Sequence, residues 1–333
     1  MRKTKLILLA GISGLALQLS APAAFAADMA IKARPLPQAP SGTWTWWIEG
    51  GGVDLSGDPF VAGFNAPPFD IRADQWGWQG AGGVDYRFAG SDWHVSADFR
   101  FMGNGSNAAT SAEVASFAPG PVLNAVTGAN SANRKESAWE ADFMVGRDLQ
   151  IGNPAQVKFG LRVADIWGQT NGAANWAYAV ITPPPLTGAY TFSDAYRQTN
   201  KWIGAGPRLA IEGIVPLQGP WSIDYNGGVA ALFGHGSATQ TTTITTTNTA
   251  APPVTPTCLS GCPIAASTGS NAVVFNADAQ VGIAYALSNN ARVSLNYRVD
   301  GYWNGMRGFN AAGAGVNLSR VYSGPTLKLT VAY

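Results

Sequence analysis

WHVSADFRF, residues Trp93–Phe101, alternates almost without exception. Trp93, Val95, Ala97, Phe99 and Phe101 are apolar, and His94, Ser96, Asp98 and Arg100 stand between them. Period-two alternation marks a β-strand with two unlike faces. Here one face begins and ends in bulky aromatics and the other carries charge. A soluble sandwich would show water a face of Thr and Ser and would not leave so many large aromatics outside. The pattern fits a strand with hydrocarbon on one side and a polar lumen on the other.

The same pattern recurs along the chain. Trp44, Trp46 and Ile48 alternate with Thr43, Thr45, Trp47 and Glu49, and Trp76, Trp78, Val84, Tyr86 and Phe88 oppose Gln75, Gln79, Asp85 and Arg87. Trp139 to Val145, Val157 to Val163, Ile203 to Ile211, Trp221 to Phe233, Phe275 to Leu287, Val293 to Val299 and Leu327 to Tyr333 follow suit. That predicts about ten strands of roughly ten residues or more, enough to cross a bilayer when tilted. Short turns (AGSD, IGNPAQ, PLQGP, SNN) take turns with long connections near 55–74, 103–136, 168–200, 235–272 and 304–320. Such asymmetry predicts an all-β, antiparallel up-and-down transmembrane barrel with short periplasmic turns and long extracellular loops. Counts of 8 or 12 strands are the neighbouring options. Pro207 and Pro325 fall inside proposed strands, where each removes a ladder donor, so bulges or rim positions are expected there.

Composition agrees. Charged residues make up 12% of the 333, against roughly 25% in soluble domains, while Gly reaches 40 and Trp 12. Mean hydropathy is only +0.02, too low for a helical bundle, and no run of about 18 apolar residues follows the N-terminus. MRKTK, LILLAGISGLAL and Ala24-Phe25-Ala26 read as a signal peptide over residues 1–26, cleaved for export through the Sec route. A Pro/Ala-rich periplasmic spacer would span 27–41 and the barrel 42–333. Removing Arg2, Lys3 and Lys5 from the 21 basic residues leaves 18 against 20 acidic, so nothing points to nucleic acid. Cys258 and Cys262, in a Thr/Pro-rich segment, are read as a local disulfide in an oxidising compartment. A zinc site would need more ligands than His94 and His235 supply, and no cofactor is expected. The run ATQTTTITTTNTAAPPVTPT, from Ala238 to Thr257, is read as an exposed, mobile loop.

By parity the lumen should hold Glu49, Asp85, Asp98, Glu140, Asp142, Glu212, Asp224, Asp278 and Asp300. The bases on the same face are Arg87, Arg100, Lys158, Arg162, Arg208, Arg292, Arg298 and Lys328. Gly324, Leu327, Leu329, Val331 and Tyr333 resemble the terminal signal that the barrel-assembly machinery of a Gram-negative outer membrane reads.

WIGAGPRLAIEGIVPLQGPWSIDYNGGVAALFGHGSA, from Trp202 to Ala238, and VKFGLRVADIWGQTNG before it carry a family resemblance. The sequence resembles the pore-forming outer-membrane proteins related to the Legionella major outer-membrane protein. The likeness spans about residues 135–333 and is most specific from Gly204 to Arg208. The opening ADMAIKARPLP is similar to that of alphaproteobacterial outer-membrane proteins. The resemblance implies an outer-membrane barrel and a pore, and brings no catalytic motif.

Three function classes follow. The first is a narrow, weakly selective passive pore for ions or small solutes, its opposed walls of acid and base wetted by water. The second is a non-conducting structural or adhesive barrel, in which those charges pair across a filled lumen and the extracellular loops do the work. Ten strands lie near the closed end of the size range. The third is a hydrolase built on His235 and Ser237, and the expectation is no enzyme, because no carboxylate lies near to orient the imidazole. Partners would be outer-membrane lipid and lipopolysaccharide, the assembly machinery, periplasmic chaperones and a further copy of the chain.

Overall fold

Alternation of this length closes a sheet on itself, since every unpaired edge in hydrocarbon costs several kcal/mol. The computed structural model describes residues 42–58, 60–62, 69–71, 75–105, 107–115, 123–151, 153–180, 188–248, 263–310 and 313–333. Ten strands form the wall. They are β1 (Trp44–Gly57), β2 (Gln75–Arg87), β3 (Trp93–Gly103), β4 (Leu123–Ile151), β5 (Asn153–Val180), β6 (Gly188–Pro216), β7 (Trp221–Asn248), β8 (Pro263–Ala286), β9 (Ala291–Phe309) and β10 (Gly315–Ala332). Each pairs antiparallel with the next, and β10 returns to β1 through Thr45 to Ala332 and Gly57 to Arg320. Trp44 and Tyr333 exchange two backbone bonds of 3.1 and 2.8 Å at the seam. The expected closed, ten-stranded, all-β barrel is the fold. The signal peptide, the spacer before residue 42, and Cys258 with Cys262 lie outside the described residues.

The outward face is apolar. Trp44, Trp46, Tyr86, Trp93, Trp221 and Tyr285 gather at the short-turn end, and Trp76, Trp78, Phe101, Trp139, Phe233, Phe275 and Trp303 toward the other. Cross-strand ring pairs such as Trp44–Tyr86 at 4.7 Å and Trp78–Phe101 at 4.9 Å tie each girdle together. Tyr86 and Trp78 lie about 27 Å apart along β2, the reach of a tilted strand across hydrocarbon. Gly90 and Gly219 hold positive φ values of 66° and 65° in the tight turns, a region that favours glycine.

Two expectations need correction. First, much of what was read as long loop is strand. β4 and β6 run for 29 residues and β5 and β7 for 28, nearly three times the roughly ten that a membrane needs. The Thr-rich run stays in β7 as far as Asn248 and is not loop in that part, as β-branched Thr favours a pleated surface. Outside hydrocarbon neither face must be apolar, so alternation fades while pairing continues. Second, neither proline makes a bulge or sits at a rim. Pro207 pairs with Leu161 and Pro325 with Tyr297 in unshifted registers. On their other sides the ladders skip Ala231–Leu232 and Gly52–Val53, then resume in register. Each proline thus costs pairing on one neighbour only. Register shifts come elsewhere, between Leu123 and Val126 in β4 and between Tyr302 and Met306 in β9, where Asn304 adopts a φ of 61°.

Unequal strand lengths make the wall oblique. β4 to β8 rise well above β9, β10 and β1 to β3, and a short segment, Asn107–Ala115, pairs with the upper part of β4 beyond the end of β3. A second short hairpin joins Phe60–Ala62 to Phe69–Ile71. With the short turns facing the periplasm, cysteines placed at Thr110 or Thr246 are expected to react with an impermeant maleimide on intact cells. One at Asn289, in the β8–β9 turn, should stay unlabelled until the outer membrane is breached. Labelling at Asn289 on intact cells would invert the barrel.

Candidate functional site: the barrel lumen

Parity carries all of the named charges inward, and their side chains meet in layers. At the periplasmic end, Lys158 bridges Glu212 at 2.6 Å and Asp85 at 3.3 Å, and Asp85 also holds His94 Nδ1 at 2.7 Å. The imidazole is fully buried, and Gly146 opposite it leaves the room a Cβ would take. Arg87 pairs with Asp148 at 2.8 Å, Arg292 with Asp224 at 3.5 Å, and the Lys328 ammonium lies 4.6 Å from the Trp47 ring centre.

The middle layer is the densest. Arg162, fully buried on β5, reaches Asp142 at 2.5 Å, Glu140 at 2.9 Å and Asp278 at 3.1 Å, and donates to Asn276 at 2.6 Å. Arg208 contacts Asp142 at 3.1 Å and Asp278 at 3.0 Å, with Gly228 leaving space for its guanidinium. Arg298 holds Asp300 at 2.7 Å, Glu140 at 3.1 Å and Asp278 at 3.4 Å. Arg100 donates to Glu49 at 2.9 Å, whose second oxygen accepts from Gln280 at 3.0 Å. Asp98 faces Asp142 across the β3–β4 pair. These contacts cross the lumen, from β9 to the opposite β4 and from β5 to β8. Charges removed from water are tolerable only when partnered this fully.

Above it comes an apolar layer. Val53, Leu55, Met102, Ile166, Trp202, Leu232, Val274 and Met306 are all inward and essentially inaccessible. A third polar layer then follows. Glu136 accepts from Arg134 at 2.7 Å, from Arg320 at 3.0 Å and from the Tyr322 hydroxyl at 2.9 Å. The Tyr302 hydroxyl donates to Glu140 below at 2.6 Å, and the Tyr302 and Tyr322 rings meet edge-on at 6.1 Å. Two tyrosines therefore connect the charged layers through the apolar one.

Sequence reasoning left out Arg134, Glu136, Arg320, Tyr302, Tyr322 and the buried Trp202. The signal was there, because Arg134 and Glu136 keep the parity of Glu140 and Asp142. Assigning 103–136 to a loop hid it. The hydrolase candidates stand on the outer wall of β7. His235 Nδ1 meets the Asn271 side-chain oxygen at 3.0 Å, an amide where a triad would place a carboxylate.

A family model described as "Legionella pneumophila major outer membrane protein precursor" matches residues 59–332. No curated protein matches the sequence. Among solved structures, the outer membrane protease OmpT from Escherichia coli is similar at 10% identity and a TM-score of 0.42, covering 87% of this chain and 97% of that one. The Pseudomonas putida toluene transporter TodX is similar at 6% identity and a TM-score of 0.22, covering 88% and 90%. A FadL homologue from Pseudomonas aeruginosa is similar at 8% identity and a TM-score of 0.25, with the same coverage.

Proposed function

Because the chain belongs to the family of the Legionella pneumophila major outer membrane protein, and so forms a barrel of the outer membrane, we propose a role for it as a closed, non-enzymatic barrel. Its lumen is sealed by its own side chains, and it acts on the cell surface through the tall wall of β4 to β8. The observation that carries this reading is Arg162, inaccessible to water and shared by Glu140 and Asp142 of the neighbouring β4 and Asp278 of β8 across the lumen, directly beneath an apolar layer. An ion entering from outside would have to strip its hydration shell at Leu55, Trp202 and Met306, then break a network whose guanidiniums are each already bound to carboxylates.

A narrow passive pore is the second reading. It is favoured by the wall itself, since among the described residues side chains and not a chain segment fill the lumen, and side chains move. Planar-bilayer recording of the refolded full chain separates the two. The closed barrel is expected to insert without unitary current steps, while the variant W202G/M306G, which hollows the apolar layer, gains them. Reproducible steps from the unaltered barrel would establish the pore and sink the sealed lumen.

A further inference from the structure

The hydrocarbon-facing wall carries little charge, but one upper patch breaks the rule. Lys135 of β4 and Arg197 and Lys201 of β6 point outward and are exposed. Between them runs β5, with Lys135 paired to Gln169, Lys201 to Trp167 and Arg197 to Asn171. Strands lie about 5 Å apart and same-face residues about 7 Å, so the three cations share a patch about 10 by 13 Å. Arg197 donates to Gln169 Oε1 at 3.3 Å, and Gln169 Nε2 donates to Asn171 Oδ1 at 3.2 Å. On the same face Asp165 interacts electrostatically with Lys201. One carboxylate against three cations leaves a positive surface.

Depth points to the occupant. Trp139 pairs with Asp165, and Ile203 and Phe233 lie just below Lys201, so the patch begins where the upper aromatic girdle ends. That is the level of the headgroups of the outer leaflet. We propose that Lys135, Arg197 and Lys201 bind the phosphates of a phosphorylated glycolipid of that leaflet. Its acyl chains would lie against Trp139, Ile203 and Phe233. Each guanidinium or ammonium offers several donors to phosphate oxygens, and charge-assisted bonds of that kind are the strong ones. The cation near the opposite end, Arg147, is instead occupied with the Trp93 ring, 5.7 Å away. The site stands whether the lumen is sealed or open.

The test is native mass spectrometry of the refolded full chain in detergent with three probes: acylated diglucosamine bisphosphate, its dephosphorylated form, and inorganic phosphate. The bisphosphate is expected to be retained about tenfold better than the dephosphorylated glycolipid. K135Q/R197Q/K201Q should lower retention to the dephosphorylated level, while R147Q leaves it unchanged. Inorganic phosphate should fail to displace the glycolipid. Folding is checked by the heat-dependent gel shift of a closed barrel. If the triple variant does not fold, K135Q and K201Q singly should each cost about threefold. Equal retention by the folded variants, or by the dephosphorylated glycolipid, would overturn the site. Displacement by inorganic phosphate would overturn it too, leaving a general anion patch.

Discussion

Changing Arg162 to alanine is expected to cost about 3–5 kcal/mol of stability, read as a lower urea midpoint for the refolded barrel. The guanidinium serves Asp142, Glu140 and Asp278 at once, in a site with no accessible surface. Removing it strands several negative charges away from water. The cost lies less in lost attraction than in carboxylates left without a counter-charge. A second change that removes one of those charges, R162A/D142N, should therefore recover part of the loss. If Arg162→Ala unfolds at the same urea concentration as the unaltered barrel, water must already hydrate the freed carboxylates. The sealed lumen would then be untenable.

The opposite experiment charges the outer wall. Phe99 lies at mid-strand in β3, half exposed, and its ring stacks on Trp139 at 6.0 Å between centres. Phe99→Arg places a cation toward the bilayer midplane, where barrels lose about 2–4 kcal/mol. Phe99→Leu, which keeps the face apolar, should lose far less. Folding yield into vesicles and protease protection of the inserted barrel give the comparison. Matching yields for the two variants would mean that this face does not meet lipid, and the assignment of faces throughout the wall would fail with it.

Between those two faces lies what the sequence could and could not reveal. Inside hydrocarbon the solvent on one side is uniform, so Trp93, Val95, Phe99 and Phe101 announce their side by chemistry alone. Every inward charge named from parity is inward for the same reason, since a strand cannot turn one residue over without turning all. Beyond the girdles that constraint lapses. Residues 238–248 are nearly all Thr, Ala or polar, have no apolar face to display, and still pair along β7. Whether the lumen is open was not legible either. Parity says that Arg162 and Asp278 look inward, but whether they meet depends on how far apart the walls stand. Nor does alternation mark Trp202 or Met306 as part of an apolar layer, because inward apolar residues look like lapses in the polar face until they are seen to cluster with one another. The prolines misled for a related reason. A missing donor argues for a bulge only if both neighbours need that donor, and at Pro207 and Pro325 one side keeps its register intact.

The seam between first and last strand has a consequence for the order of events in assembly. All other pairings in the ring join strands adjacent in the chain, so each can form as a local hairpin. The β1–β10 ladder alone joins partners from opposite ends, such as Ile48 with Leu329 and Trp46 with Val331. Leu329 and Val331, together with Gly324, Leu327 and Tyr333, make up the terminal pattern that resembles an assembly signal. A strand edge cannot be read by a helper and paired with β1 at once. Closure therefore covers the backbone edge of the pattern, while the Leu327 and Tyr333 side chains stay exposed on the outer wall. For a helper that reads that edge, completion and release would be a single event, because Trp44 takes both backbone bonds of Tyr333.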